Sequence, residues 1–370
     1  TVDANLRFKE DRLDIRAGNI KSDQSGVTFS GVYHRGEAPR LDLNLAGKRL
    51  NVDEFLPEPQ DKETSLMERL NQSEFFAKGK GKIRFNLDKL DYKLFTLDQV
   101  AGSMVLNNRE IEMKDLVFDS NASIKSGGRM LIDAKGVGHF EGSIQARGME
   151  TKNLFSFFGD VFEKSLSGDV KTVDARLKGS GKDWKEIFSS LSGNLSMDVQ
   201  SGSINLEKLQ RGVRRLFSSI PQPNPVKNEA PSSFKQISGD FATKDGVFET
   251  QNFVVETEDR RTSIVGTFDL VNNQMDTVVG IAPLAGLDRF LTQIPVVGKI
   301  ITGGDEKSIL KSYYTVKGDF NNPEVTVTPF TSLGKRVMGI FQAILETPQD
   351  ILAPITDNLP KATSPTPAEN

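Results

Sequence analysis

The chain of 370 residues contains no cysteine, only two histidines and a single tryptophan. The absence of cysteine excludes disulfides and thiolate metal sites. His34 and His139 lie far apart in the sequence, and neither has a second histidine at the spacing of a metal site. Lys and Arg total 47 against 50 for Asp and Glu, so the basic excess of a nucleic-acid-binding protein is missing. We therefore expect no cofactor, no metal and no nucleic-acid partner.

Motifs of common enzymes are also missing. The sequence contains no G-x-x-x-x-G-K-[ST] phosphate loop, no G-x-S-x-G nucleophile elbow and no H-E-x-x-H zinc motif. The glycines of "GVGHFEG" (136–142) have the wrong spacing for a dinucleotide loop. Glu256 and Glu258 fall on one face of a predicted strand, as acidic pairs on solvent-facing strands commonly do. The sequence predicts a protein that is not an enzyme; a glycosidase-like carboxylate pair is the alternative.

Most of the chain alternates between apolar and polar residues with period two, which is typical of strands with one apolar face. Examples are "RLDLNLAG" (40–47), "KIRFNLD" (82–88) and "PEVTVTP" (323–329). Turn signals such as "LNNRE" (106–110) and "TKDGV" (243–247) separate the strands and favour antiparallel neighbours. The predicted fold is mainly β, with a long, curved antiparallel sheet that forms a groove and with several short helices.

An internal repeat supports this fold. Residues 97–119 align without a gap over residues 234–256, with Gly102 over Gly239 and the turn residues 107–108 over 244–245. Apolar positions of the two segments also coincide. The groove is therefore predicted to be built from repeated strand–turn–strand units.

Strand phase indicates which side chains would line the groove. Phenylalanine is frequent, with 24 residues against 4 tyrosines, and its side chain has no polar atom, which suits contact with hydrocarbon. An ordinary phenylalanine-rich core is the alternative. The predicted lining consists of Met104, Ile111, Leu116 and Phe118 in the first copy of the repeat, Phe241, Phe248, Phe253 and Val255 in the second, and Ile264 and Phe268 in the strand that follows.

The segment "LTQIPVVGKIITGG" (291–304) is among the most apolar of the chain, but it is shorter than the ~20 residues that cross a bilayer. The amphipathic helix predicted at 331–346 has Lys335 and Arg336 beside its apolar face, as an interfacial helix would. Both segments either cover the end of the sheet or contact a membrane or protein partner. The candidates for such contact are Ile294, Val297, Ile300, Val337, Ile340, Phe341 and Ile344.

Composition and turn signals divide the chain into predicted regions. These are a β-rich part (1–180), a second β region (181–330), the amphipathic helix (331–346) and a disordered tail (354–370). Further short helices are predicted at 61–76, 152–164, 183–191 and 204–220.

The second β region resembles the C-terminal region of the AsmA-like family. The resemblance lies in "LSGNLSMDVQSGSINLEKL" (191–209), "GTFDLVNNQMDTVVGIAP" (266–283) and the closing pattern "LDRFLTQIPVVGKIITGG" (287–304) followed by "SYYTVKGDFNNPEVTVTPF" (312–330). It extends over about 190–346 and is looser over 1–180. These motifs identify a fold more sharply than an activity.

The resemblance implies a location and a function. Members of this family are Gram-negative envelope proteins anchored in the inner membrane, with the β-rich part in the periplasm. The chain starts with Thr1, and we expect the anchor to lie upstream of it. Related bridge-like proteins carry phospholipid acyl chains in an apolar groove between inner and outer membranes. Expected partners are phospholipid, a membrane surface and an envelope protein. The alternative is a structural or assembly factor for the outer membrane, with a closed β core and no lipid cargo.

Overall fold

The fold is known from a computed structural model, which describes residues 1–55, 66–92, 95–118, 122–151, 166–204, 232–284, 312–319 and 322–346. Strands hold 69% of the described residues and form one large, open, mixed sheet of 18 strands, with few short helices. The prediction of a mainly β fold is therefore confirmed. The predicted helix at 152–164, residues 205–220 of the predicted helix at 204–220, the whole segment 291–304 and the tail 354–370 lie outside the described residues.

The chain divides into two compact units. Unit 1 comprises Thr1–Glu163 and Val170–Gly193, and unit 2 comprises Lys164–Asp169 and Asn194–Asn370. The strands of unit 1 are β1 (Val2–Lys9), β2 (Arg12–Lys21), β3 (Gly26–His34), β4 (Arg40–Asn51), β5 (Lys80–Tyr92), β6 (Phe95–Asn107), β7 (Glu110–Val117), β8 (Ser123–Ile132), β9 (Gly138–Arg147), β10 (Met149–Glu150) and most of β11 (Leu166–Gly181). The strands of unit 2 are most of β12 (Ser192–Ile204), β13 (Ser232–Lys244), β14 (Val247–Glu256), β15 (Arg260–Asp269), β16 (Gln274–Pro283), β17 (Ser312–Asp319) and β18 (Glu324–Val327).

Pairing within each unit is mostly between consecutive strands. In unit 1, antiparallel pairs join β1 through β4, β5 through β9, and β9 to β11. In unit 2, antiparallel pairs join β13 through β18. Tight turns make these neighbours antiparallel: at Asn108-Arg109 and at Asp245-Gly246 both central residues have positive φ, as hairpin turns that match the strand twist require.

One pair departs from the predicted antiparallel sheet. Strands β4 and β5 are parallel, with Leu43 opposite Ile83. A parallel pair needs a crossover connection of a dozen or more residues. The connection here contains a 3₁₀ turn (Val52–Phe55) and the helices α1 (Leu66–Gln72) and α2 (Glu74–Lys78). The sequence predicted one helix over 61–76 but not that the chain crosses over the sheet there.

The internal repeat is present in the structure as two hairpins with the same irregularity. In β6–β7, Ala101 lies opposite Val117 and the register then shifts. In β13–β14, Ser238 lies opposite Val254 at the equivalent place, and the register shifts there too. A bulge of this kind bends the strand and increases its twist. The two copies therefore share turn, pairing and bulge.

Two further helices complete the described elements. Helix α3 (Trp184–Ser189) begins after Asp183, whose carboxylate accepts a hydrogen bond from the backbone N–H of Glu186 at 2.8 Å, as an N-cap does. It lies in the predicted range 183–191. Helix α4 (Lys335–Glu346) belongs to unit 2 and follows a 3₁₀ turn at Phe330–Ser332.

Candidate functional site

One face of unit 1 is apolar across ten strands. Directly opposed residues of neighbouring strands share a face, so the registers define rows of side chains across the sheet. The central row contains Leu6, Ile15, Gly31, Leu43, Ile83, Met104, Met113, Gly128, Gly142 and Leu177. The next row contains Phe8, Leu13, Tyr33, Leu41, Gly81, Leu106, Ile111, Met130, Phe140 and Gly179. We call this surface the apolar face of unit 1.

The described residues cover the apolar face of unit 1 only in part. Leu41, Leu43 and Leu45 of β4 and Phe85 of β5 are half-buried, and Phe8 of β1 is 73% exposed. A sheet that packs on an ordinary core buries such side chains fully. Contiguous apolar surface that remains partly exposed is typical of interaction sites in proteins.

The opposite face of unit 1 carries charged side chains, some of which pair across neighbouring strands. Arg84 lies 2.7 Å from the carboxylate of Asp42 on the neighbouring strand, and Arg129 lies 2.8 Å from that of Glu141. A shallow depression on this face is lined by Glu110, Arg129, Lys178 and other residues. Because charges of both signs lie there, the depression has no bias for an anion or a cation.

Helices α1, α2 and α3 cover one end of the apolar face. Met67, Phe76 and Ile187 from these helices are buried together with Ile132 of β8. Leu106, Ile111, Met130 and Phe140 pack against this cluster. The uncovered part of the apolar face of unit 1 is therefore bounded at this end by helices.

The predicted lining residues of unit 1 lie on its apolar face. Met104 and Ile111 belong to the two rows above, and Leu116 is opposite Ser126, which is opposite Ile144 on the same face. The bulge in β7 keeps Leu116 in phase with Met113. Phe118, two residues further on, is 1% exposed. The sequence missed the uncovered residues of β4 and β5 as lining, although the alternation at 40–47 and 82–88 identifies their apolar side.

The predicted lining residues of unit 2 also share one face, which we call the apolar face of unit 2. Phe248 is opposite Phe268, and Phe253 is opposite Ile264. The ring centroid of Phe241 lies 5.5 Å from that of Phe253 and 6.5 Å from that of Phe268. The predicted aromatic residues therefore form one cluster.

Much of the apolar face of unit 2 is buried. Val255 and Ile264 are each 5% exposed, and Val279 and Val316 are fully buried. Burial also raises the pKa of the Tyr314 phenol in the same cluster, because the phenolate loses hydration. A ligand on this face would contact the half-buried phenylalanines and not Val255 or Ile264.

Helix α4 covers the other face of unit 2. Phe341 and Ile344 are 0% and 1% exposed and pack with Val254, Val265 and other residues of the sheet. Val337 and Ile340 are half-buried against the same cluster, whereas Lys335 and Arg336 are exposed. The structure thus places the predicted contact residues of α4 against the sheet instead of at a free surface. Ile294, Val297 and Ile300 lie outside the described residues.

A buried ion pair fixes α4 to the sheet. Arg261 of β15 is 2% exposed, and its Nε donates a hydrogen bond to Glu256 Oε2 at 2.9 Å. Its Nη1 donates to the carbonyl of Ile344, near the C-terminus of α4, at 3.1 Å. Glu256 is thereby a structural partner of Arg261. The local sequence around Arg261 gave no signal of its hydrogen bond to α4, because Ile344 is 83 residues away in the sequence.

Neither a metal site nor a membrane-spanning helix is found in the described part of the chain. No group of three or more His, Cys, Asp or Glu residues there is placed to hold a metal ion. Of the helices described, none combines the length and apolar character needed to cross a bilayer. Compared with known proteins, the chain matches no family model, no curated protein and no solved structure.

Proposed function

We propose that this protein binds the acyl chains of phospholipids on the apolar faces of its sheet and supports lipid transport between the inner and outer membranes of a Gram-negative envelope. The observation that carries the proposal is the apolar face of unit 1, which crosses ten strands and which the described helices cover only at one end. The resemblance to the AsmA-like family supports the same function. In this proposal the protein acts on the periplasmic side of the inner membrane.

The size of the face suits acyl chains. Ten strands at ~4.8 Å spacing give a surface about 43 Å wide. Each CH₂ group removed from water contributes about 0.8 kcal/mol, so an acyl chain on this face is held strongly relative to water. The free energy of moving an acyl chain from a bilayer to this face is close to zero, because the acyl chain leaves one apolar environment for another. Transfer therefore needs no nucleotide-binding site in this chain.

The chemistry of the face favours acyl chains over a protein surface. Sites that dominate protein–protein binding are enriched in Trp, Tyr and Arg. Apart from glycines, the two rows of the apolar face of unit 1 contain Leu, Ile, Met and Phe, with Tyr33 the one side chain that has a polar atom. Hydrocarbon requires no hydrogen-bond partner, whereas a protein surface brings polar groups that need one.

Lipid binding is tested with neighbouring residues of β4 that lie on opposite faces. Leu43 is half-buried on the apolar face, and Asn44 is exposed on the polar face. Native mass spectrometry with lipid extraction should find phospholipid on the wild-type protein and on Asn44→Glu. Leu43→Glu should lower bound lipid at least about tenfold, because a carboxylate does not desolvate against hydrocarbon. A photo-crosslinking amino acid at position 43, but not at position 44, should label with lipid.

The alternative is a structural or assembly role with a closed core. Burial of Val279 and Val316 on the apolar face of unit 2 favours it there. Under this alternative the purified protein is lipid-free and monodisperse, and Leu43→Glu only lowers stability. In unit 2, Phe241→Glu and Phe253→Glu separate the two functions in the same way: loss of lipid supports transport, and unchanged lipid assigns these residues to a core.

A further inference from the structure

Phenylalanine rings of unit 1 occupy the space above glycines of the apolar face. Gly18 of β2 lies directly opposite Phe29 of β3. A Cβ atom built on Gly18 would lie 2.2 Å from Cζ of Phe29 and 2.5 Å from Cε1 and Cε2. The distal end of the Phe29 ring therefore sits where a side chain of residue 18 would begin. Gly18 itself is buried.

The same contact recurs at a second position of unit 1. A Cβ on Gly142 of β9 would lie 2.6 Å from Cζ of Phe140, two residues earlier in the strand. Phe140 also packs against the helix cluster and so lies at the border of the covered end of the face. We call these contacts ring-over-glycine pairs.

These glycines differ from those that the backbone itself requires. A Cβ on Gly31 would lie 2.1 Å from the backbone oxygen of Asp42, so the strand pairing excludes a side chain there. At Gly18 and Gly142 the three nearest atoms all belong to the phenylalanine ring. Neither residue has a positive φ. At Gly142 the third of these atoms is 3.4 Å away, so no backbone atom comes closer than that to a Cβ there. At both positions the nearest obstacle to a side chain is the ring.

A ring above glycine extends along the sheet. Side chains of a strand normally stand roughly perpendicular to the sheet, so a phenylalanine there would project from the face. The absence of Cβ at the neighbouring position lets the ring lie low, which also protects the glycine backbone from solvent. The surface that results is apolar and low, and acyl chains can lie on it close to the backbone.

We propose that the ring-over-glycine pairs of unit 1, Phe29 on Gly18 and Phe140 on Gly142, set the depth of the lipid-binding face and thereby the amount of acyl chain it holds. This inference rests on the proposed function. Substitution of either glycine by alanine raises the ring and displaces acyl chain from the face. Each displaced methylene lowers lipid affinity about fourfold.

The experiment compares phospholipid bound per protein, by native mass spectrometry, and the thermal unfolding midpoint. Gly18→Ala and Gly142→Ala should each lower bound phospholipid about fourfold or more. The matched control is Gly26→Ala in β3, because a Cβ at Gly26 has no atom within 4 Å; it should keep the wild-type amount. The double variant Gly18→Ala/Phe29→Leu should recover lipid, because the shorter side chain does not reach over residue 18.

Each outcome decides between specific alternatives. Lipid content unchanged in both glycine variants overturns the ring-over-glycine inference and leaves the proposed function standing. Loss of lipid in Gly18→Ala without recovery in the double variant also overturns it, because the backbone and not the ring is then responsible. If Gly18→Ala does not fold, Gly142→Ala tests the inference at an independent pair. Wild-type protein free of lipid overturns the proposed function and this inference with it.

Discussion

Replacing Arg261 by methionine should detach helix α4 from the sheet of unit 2. The guanidinium is 2% exposed and bonds both the Glu256 carboxylate and the Ile344 carbonyl. The Glu256 side chain is itself only 9% exposed. Removing one member of a buried ion pair leaves the other charge without compensation, which costs about 3–5 kcal/mol. We expect Arg261→Met to lower the free energy of unfolding of unit 2 by that amount.

The assay is urea unfolding combined with hydrogen exchange of α4 and β15. Replacing both charges, in Arg261→Met/Glu256→Leu, should restore most of the loss, because two apolar side chains replace two desolvated charges. Arg336→Met on the exposed side of α4 is the matched control and should change stability by no more than about 0.5 kcal/mol. A loss below about 1 kcal/mol in Arg261→Met, or a double variant as unstable as the single one, would refute the reasoning.

Two other predictions concern the helices over unit 1 and a turn of unit 2. Phe76→Ala should lower the free energy of unfolding in urea by about 3–5 kcal/mol, since this side chain is 4% exposed in the helix cluster. Phe188→Ala is the control and should have little effect, because Phe188 is 56% exposed. Equal losses in the two variants would contradict the packing of Phe76 in the cluster. The Asn272 backbone N–H and side chain hold the pKa of the Asp269 carboxyl below its usual range. That stabilisation is present above about pH 4 and is lost as the pH falls through the lowered pKa. Amide exchange in this turn, corrected for intrinsic rates, should therefore accelerate in acid, and Asp269→Asn should abolish the pH dependence.

Much of the fold follows from local patterns. Alternation identified the strands and their apolar side, as at Leu41, Leu43 and Leu45, because side chains of a strand point to opposite faces in turn. The gap-free alignment of 97–119 with 234–256 predicted two equivalent hairpins, and the structure contains them with the same turn and bulge. Glu256, a member of the carboxylate pair in the glycosidase-like alternative, is paired with Arg261 in the structure.

Other features depend on residues far apart in sequence. The parallel pairing of β4 with β5 depends on where the intervening helices pack, which alternation does not encode. Residues of the two apolar faces have the same pattern in sequence, yet Leu43 is half-buried and Ile264 is 5% exposed. Their exposure depends on what packs over each strand. The sequence of a strand does not specify which distant element packs over it.

The sequence by itself determined that this protein is a β protein with one apolar side to most strands, because side-chain alternation is a property of consecutive residues. Only the tertiary structure decided how the registers align these sides into rows across ten strands, and which part of the resulting face the helices leave uncovered. It also decided that Phe29 lies over Gly18 and that Arg261 holds α4. Each of these contacts joins residues on different elements, and their distances are set by strand register and packing.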